Sequence, residues 1–526
     1  MAYIIGDNII TPLGDNSEEN YLAVKAGKVS RGRINLPFAE RVLSSVRKAI
    51  GGVDIEPNRT VFILSSTKGD MASGCPLADS ARHIAEQIGL TTQAIVVSNA
   101  CISGLAAIIL GDRLIATGKY DYAIVSGTDD IGEFITSGFQ SLNAISEEQC
   151  RPFDMERNGL NLGEAVATII LSARQGKWEV ADGYIRNDAH NLTAPSKTAE
   201  GQYGCLARLT GKFGSPDFIN AHGTATLFND QMESVAITRA SLSDVPANAL
   251  KGYFGHTLGA AGILETVISM KSAEDGTLLA TKGFQQLGVS GKVTLSSSHL
   301  GITASSFIKM LSGFGGCNAA AYFRLSHPML PAPPARHVSI EQKHRIVLSH
   351  DKCKKDGVTL SALYKRHIAD YPRFYKMDNL CKLGFVTSEL LLKETGEKRF
   401  VEREDRAIVL FNRSSSVDVD RKYMDTIKDK DNYFPSPALF IYTLPNIVTG
   451  EIAIRNKWHG ETSLYILPRH DEQQEREILE ATCLDATISS ILTGWIDYQD
   501  DDNYVADLSI YEVKHKTTEI DDGRFG

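Results

Sequence analysis

No run of roughly 18 apolar residues occurs in the 526-residue chain, so no membrane-spanning helix is expected. The opening "MAYIIGDNIITPLG" lacks a basic stretch and a long apolar core. It is expected to form a first strand and a turn, not a secretory signal. There is no CxxC pair. The eight cysteines, at 75, 101, 150, 205, 317, 353, 381 and 483, are scattered. That suits reduced thiols in a cytoplasmic protein better than disulfides or a zinc site, and no metal is expected. Nor is there an excess of positive charge: the net charge is −9 and the isoelectric point about 5.9, which argues against nucleic acid as the main ligand. Short-period repeats and low-complexity tracts are absent. What remains is a globular composition, 43% hydrophobic and 23% charged, in a chain long enough for two or more domains.

A break falls at 327–339, "HPMLPAPPARHVS", where four prolines interrupt any periodic pattern and predict a linker. Before it, strand-like runs ("YDYAIVSGTDD", "EAVATIILSA", "PDFINAHG") alternate with helical ones ("LAAIILGDRLIATG", "NDQMESVAITRAS"). The alternation predicts an α/β architecture. After it, "RAIVLFNRSS" and "TSLYILP" read as strands and "EREILEATCLDATISSILTGW" as an amphipathic helix. The polar end "EIDDGRFG" is expected to fray.

Four motifs can carry chemistry. "QAIVVSNACISGLAAIIL" reads as strand, sharp turn, cysteine, helix. A thiol at a helix start meets unpaired N–H groups and the positive end of the helix dipole, which favour an acidic, nucleophilic Cys101. The alternative is a small buried cysteine acting as a hydrophobe. In "NAHGTATLFND", His222 follows a strand, Thr224 and Thr226 offer hydroxyls, and Asn229 and Asp230 are plausible helix caps; a structural histidine fits equally. In "KGYFGHTLGAAGILE", His256 sits among small residues that permit close approach, with Lys251 upstream and Glu265 downstream. "SGFGGCNAAAYFRLS" joins a glycine turn to a strand, which does not fit a dinucleotide loop.

Together these strings resemble the β-ketoacyl synthase family of the thiolase superfamily over residues ~1–326. "CRPFDMERNGLNLGEA" at 150–165 adds Arg151-Pro152-Phe153-Asp154 and Gly163-Glu164 to the match. The resemblance implies a thiolase-like, duplicated αβαβα layered sandwich, with a nucleophile half at 1–175 and a histidine half at 176–326. It also implies a dimer that condenses an acyl thioester with malonyl-[acyl carrier protein] by decarboxylative Claisen chemistry in fatty acid, polyene or polyketide synthesis. Carried over by position, Cys101 accepts the acyl chain, and the N–H groups of Cys101 and Phe314 hold the oxyanion. His222 and His256 stabilise the enolate as neutral imidazoles. Lys251 supports them, balanced by Asp230 and Glu233. Thr224 and Thr226 bind the pantetheine arm, and Glu164 and Glu265 are structural. No resident cofactor is implied, since phosphopantetheine arrives on the carrier protein. Arg31, Arg33, Arg41 and Arg47 are candidates for a basic carrier-docking patch.

The sequence departs from the family pattern in three places. Ser312 replaces the aromatic before the glycine turn, Gly163-Glu164-Ala165-Val166 replaces GEGA, and the region before Cys101 is short. Residues 340–526 resemble a degenerate nucleophile half: after "TSLYIL" the chain reads "PRHDEQQERE", with no cysteine. This part is expected to be non-catalytic, to complete an interface, shape the acyl tunnel or recruit another synthase subunit, and His470 is expected to be a polar surface residue. Two alternatives remain for the whole chain. One is a chain-length-factor-like partner subunit. The other is a thiolase-like acyltransferase, for which Cys317 would be the second cysteine.

Overall fold

The computed structural model describes residues 2–71, 73–326 and 335–515. The "EIDDGRFG" end and most of the proline-rich segment lie outside the described residues. Residues 338–339, read as linker, already belong to a strand.

Among the described residues seventeen strands form in chain order. The first five are β1 (Ala2–Ile10), β2 (Thr60–Ser65), β3 (Ile95–Val97), β4 (Tyr122–Thr128) and β5 (Val166–Ser172). Next come β6 (Trp178–Asn187), β7 (Phe218–Asn220), β8 (Ala247–Asn248), β9 (Thr277–Leu278), β10 (Leu300–Gly301), β11 (Ser306–Gly313) and β12 (Cys317–Leu325). The last five are β13 (Val338–Ser349), β14 (Arg406–Asn412), β15 (Thr462–Ile466), β16 (Ser490–Asp500) and β17 (Asn503–His515). β9 and β10 pair separately; the other fifteen lie in one sheet, ordered β13-β17-β16-β14-β15-β3-β2-β4-β5-β1-β6-β12-β11-β7-β8.

That order is one five-stranded pattern written three times. In each unit the first strand pairs antiparallel with the last, the last antiparallel with the fourth, and the fourth, second and third run parallel. The sequence explains the parallel core. "TVFILS" in β2 and "YAIVSGT" in β4 are buried throughout, as strands covered on both faces must be. Units one and two join through antiparallel β1 and β6, with Tyr3 opposite Glu179. Units one and three join through antiparallel β3 and β15, with Tyr465 opposite Val97 and Ile466 opposite Val96. The core crosses this second join, since Leu64 and Val96 share one buried cluster with Leu410 and Leu464.

Two buried ion pairs also fasten the third unit. Arg113 meets Glu461 at 2.8 Å, and Arg186 meets Asp485 at 2.9 Å. The expected long amphipathic helix after β15 is shorter than its pattern suggested. It spans Glu472–Thr482, and "SILTGW" is the start of β16. No helix among the described residues is long and apolar enough to cross a membrane.

Candidate active site

The nucleophile turn is built by β3 ending at Val97. Ala100 then takes a left-handed backbone, φ 47°, which costs a non-glycine residue on the order of 1 kcal/mol or more. Neighbouring bonds hold it there. Ser103 Oγ accepts from Asn99 N at 2.8 Å and donates to Ala100 O at 2.6 Å. The third unit contributes as well: Leu464 N donates to Asn99 Oδ1 at 2.8 Å, and Ser98 N to Leu464 O at 3.2 Å. Cys101 therefore sits on a short 3-10 turn, Ala100–Ile102, leading into the apolar helix Ser103–Ala116.

A second helix, Ala261–Glu274, crosses the first so closely that only glycine fits. A Cβ on Gly104 would lie 2.8 Å from Gly259 O, and one on Gly262 2.3 Å from Leu105 N. This close approach is the structural use of the small-residue string after His256, and it brings the two motifs together. Cys101, His222 and His256 each offer an atom within 4.8 Å of the other two. Among the described residues they are also the one His/Cys/Asp/Glu group spaced to hold a metal ion. The imidazoles lie edge to face, 5.4 Å apart.

The ring protonation follows from the backbone. Leu258 N donates to His256 Nδ1 at 3.3 Å, so the neutral ring carries its proton on Nε2, which is buried and has no partner. His222 Nδ1 is likewise buried and unpartnered. Burial, then the charge of Lys251, holds both imidazoles well below the ordinary histidine range; Lys309 adds to this, and His256 does so for His222. Burial also pushes the Cys101 thiol up to about 12, against the opposing pull of Lys251. This runs against the acidic thiol expected from the helix start: burial favours S–H over thiolate at Cys101.

The charge balance differs from expectation too. Lys251 pairs with Glu265 at 2.8 Å and donates to His222 O at 2.8 Å; it does not pair with Asp230 or Glu233. Glu265, expected to be only structural, also forms an ion pair with Lys309 at 2.5 Å, a residue the sequence motifs did not single out. Lys309 reaches Ala221 O at 3.2 Å, and burial lowers it to about 8. Glu233 instead clamps the histidine turn by accepting from His222 N at 2.5 Å and Gly223 N at 2.9 Å. Asp230 accepts from Phe153 N at 2.6 Å and Ala225 N at 3.2 Å. The following helix, Leu227–Arg239, is preceded by Thr226, so Asn229 and Asp230 lie inside it and are not its cap. Burial raises Asp230 to about 6 and Glu233 to about 7. Asp129, also missed, accepts from Thr67 N, Lys68 N, Gly259 N and Ser66 Oγ, and so ties the ends of β2 and β4 to the His256 loop.

A cavity of about 400 Å³ opens onto Cys101, His222, His256, Thr224, Thr226 and Phe314. The two threonine hydroxyls bond each other at 2.9 Å. Behind Cys101 a void of only about 20 Å³ is walled by Phe139, Phe314, Phe440 and Leu444, two of them from the third unit. Gly313 brings the glycine turn against the nucleophile, since a Cβ there would lie 3.2 Å from Cys101 N. Cys317 is buried, lines neither space, and has its Sγ 3.4 Å from Phe314 O, so it cannot meet a substrate as a second nucleophile.

Elsewhere, Glu164 accepts from Ile34 N at 2.8 Å and lies 3.8 Å from Arg41, a structural placement. Arg41 is 1% exposed and paired with Asp130, which removes it from any docking patch. Arg31, Arg33 and Arg47 are exposed. In the third unit, the position after β15 carries Pro468, Arg469 and His470; His470 stacks on Trp495 at 5.2 Å, and Cys483 is buried beyond the helix end.

Comparison with known proteins gives consistent results. Residues 52–176 match the β-ketoacyl synthase N-terminal domain and 178–285 its C-terminal domain. The chain is 32% identical over 256 residues to 3-oxoacyl-[acyl-carrier-protein] synthase 2 of Rhizobium meliloti (strain 1021), an alignment spanning 43% of this chain and 60% of that relative. A solved ketosynthase–chain length factor, PfaC, aligns over 97% of this chain and 78% of its own, with TM-score 0.80 and 13% identity. The ketosynthase ApeO, solved with its chain length factor ApeC from Xenorhabdus doucetiae, aligns over 98% of its length with 62% of this chain, TM-score 0.56, 23% identity. The fold is thiolase-like.

Proposed function

Because residues 52–176 and 178–285 match the two domains of the β-ketoacyl synthase family, we propose that this chain is a condensing enzyme of fatty acid or polyketide synthesis, acting on acyl and malonyl thioesters of an acyl carrier protein. The observation that carries the reading is the pair of neutral imidazoles beside Cys101, one with its Nε2–H unpartnered.

In the first half-reaction the Cys101 sulfur attacks the acyl thioester carbonyl, and the proton it gives up ends on the departing carrier thiolate. The N–H groups of Cys101 and Phe314 receive the oxyanion, and the carrier thiol leaves with a proton. In the second, malonyl thioester enters along Thr224 and Thr226. Loss of carbon dioxide leaves an enolate whose oxygen accepts from the two histidines. The enolate carbon then attacks the acyl-Cys101 carbonyl, and Cys101 leaves as thiolate and takes one proton from solvent. Burial with Lys251 and Lys309 keeps the imidazoles neutral, while Glu265 holds both lysines in place.

A second role concerns residues 338–515. β15 occupies the β3 position of its unit without a following cysteine, and Phe440 and Leu444 wall the void behind Cys101. This supports a non-catalytic, chain-length-factor-like unit supplied on the same chain. Intact-mass measurement after exposure to acyl carrier thioesters tests the enzyme. An adduct absent from Cys101→Ala, and a product two carbons longer on adding malonyl carrier, are expected. No adduct with any thioester would refute the reading and favour a non-catalytic partner.

A further inference from the structure

The turn Phe314-Gly315-Gly316, which closes the β11–β12 hairpin, carries one expected oxyanion donor. Gly315 and Gly316 have φ of 92° and 73°, conformations that glycine adopts freely and leaves freely. Several of its restraints come from other parts of the chain. Gly315 N donates to Leu192 O at 2.7 Å, and Asn187 Nδ2 donates to Gly315 O at 2.9 Å; both partners belong to the second unit. Gly316 O also accepts from Asp188 N at 2.8 Å and from Asn318 Nδ2 at 3.0 Å, and Cys317 Sγ lies 3.4 Å from Phe314 O. A further restraint comes from the third unit. Asn446 Nδ2 donates to Phe314 O at 2.8 Å and reaches Cys317 Sγ at 3.7 Å.

Asn446 is 1% exposed, and every side-chain hydrogen bond it makes among the described residues crosses to this turn. Its Oδ1 is buried without a partner. A buried amide that satisfies nothing in its own unit costs stability there, so its use lies across the join. Four residues on, Gly450 lets the helix Ile447–Asn456 lie flat on the turn, since a Cβ there would come 2.6 Å from Gly315 O.

We propose that Asn446 is a positioning residue for the cysteine site: by holding the Phe314 carbonyl it fixes the Phe314 peptide beside Cys101, so that acyl transfer to Cys101 depends on the third unit. This rests on the condensing-enzyme reading for its chemistry, but not for its geometry.

The test uses the full chain with Asn446→Leu and Asn446→Asp, which keep the size and remove the donor; thermal unfolding selects the folded variants. Three rates are compared with wild type: amide exchange over 312–317, acylation of Cys101 by an acyl carrier thioester, and alkylation of Cys101 by iodoacetamide. Alkylation develops no oxyanion, so loss of a donor's position spares it. Exchange at the turn should quicken by about tenfold, and acylation should slow by about ten- to hundredfold, below the cost of deleting an oxyanion donor outright. Alkylation should stay within about twofold. Unchanged acylation in a folded variant, or acylation and alkylation falling together, would overturn the proposal. If the wild type accepts no acyl group, the condensing-enzyme reading fails instead, and the exchange comparison still decides whether Asn446 holds the turn.

Discussion

Cys101, His222, His256, Lys251 and both threonines were singled out through the family resemblance of the strings that carry them, and the fold gathers Cys101, His222 and His256 within 4.8 Å. Glu265 and Lys309 were not legible as a pair. Their contact exists only because β11 lies beside β7 and the Ala261–Glu274 helix packs beneath, and a linear motif does not encode that adjacency. Asn446 carries no local signature. The depressed histidines have a measurable consequence. In the unfolded chain each titrates near 6.5, whereas in the fold each stays neutral well below that. As pH falls below about 6.5 the unfolded state takes up protons that the folded state refuses. Stability therefore drops, by up to about 1.4 kcal/mol per pH unit for each histidine. A His222→Asn/His256→Asn variant should lose stability less steeply between pH 6.5 and 5 in urea titrations. Parallel slopes would contradict the neutral, buried pair.

At the scale of elements, the parallel strands were readable from unbroken apolar runs, and the helix after Cys101 from its apolar surface. The Glu472–Thr482 helix was overextended because the apolar spacing continues through "DATISSILTGW", where β-branched residues belong to a strand. What fastens one unit to another was invisible in the sequence. Arg113 projects from the nucleophile helix and Glu461 precedes β15, 348 positions later. Glu461 is fully buried, and Ser463 Oγ donates to it at 3.1 Å. Glu461→Gln should strand the Arg113 charge and cost about 3–5 kcal/mol in denaturant unfolding, whereas replacing both residues with apolar ones should cost much less. A Glu461→Gln midpoint equal to wild type would show that the pair does not fasten the units.

For the whole molecule, the duplicated architecture came with the family resemblance, and the third unit showed itself through its strand-like runs and missing cysteine. The way it docks did not, because three residues of β3 and five of β15 carry no code for each other. Their pairing, with Leu464 N donating to Asn99 Oδ1 beside it, brings distant segments of one chain together next to Cys101. A site shared between two free proteins empties as the solution thins, because its halves must find each other again. Here the halves are tied to one backbone, and their local concentration is set by the chain and not by the vessel. Turnover per molecule should therefore hold constant from micromolar to nanomolar protein, where a loss on dilution would reveal an obligatory second copy.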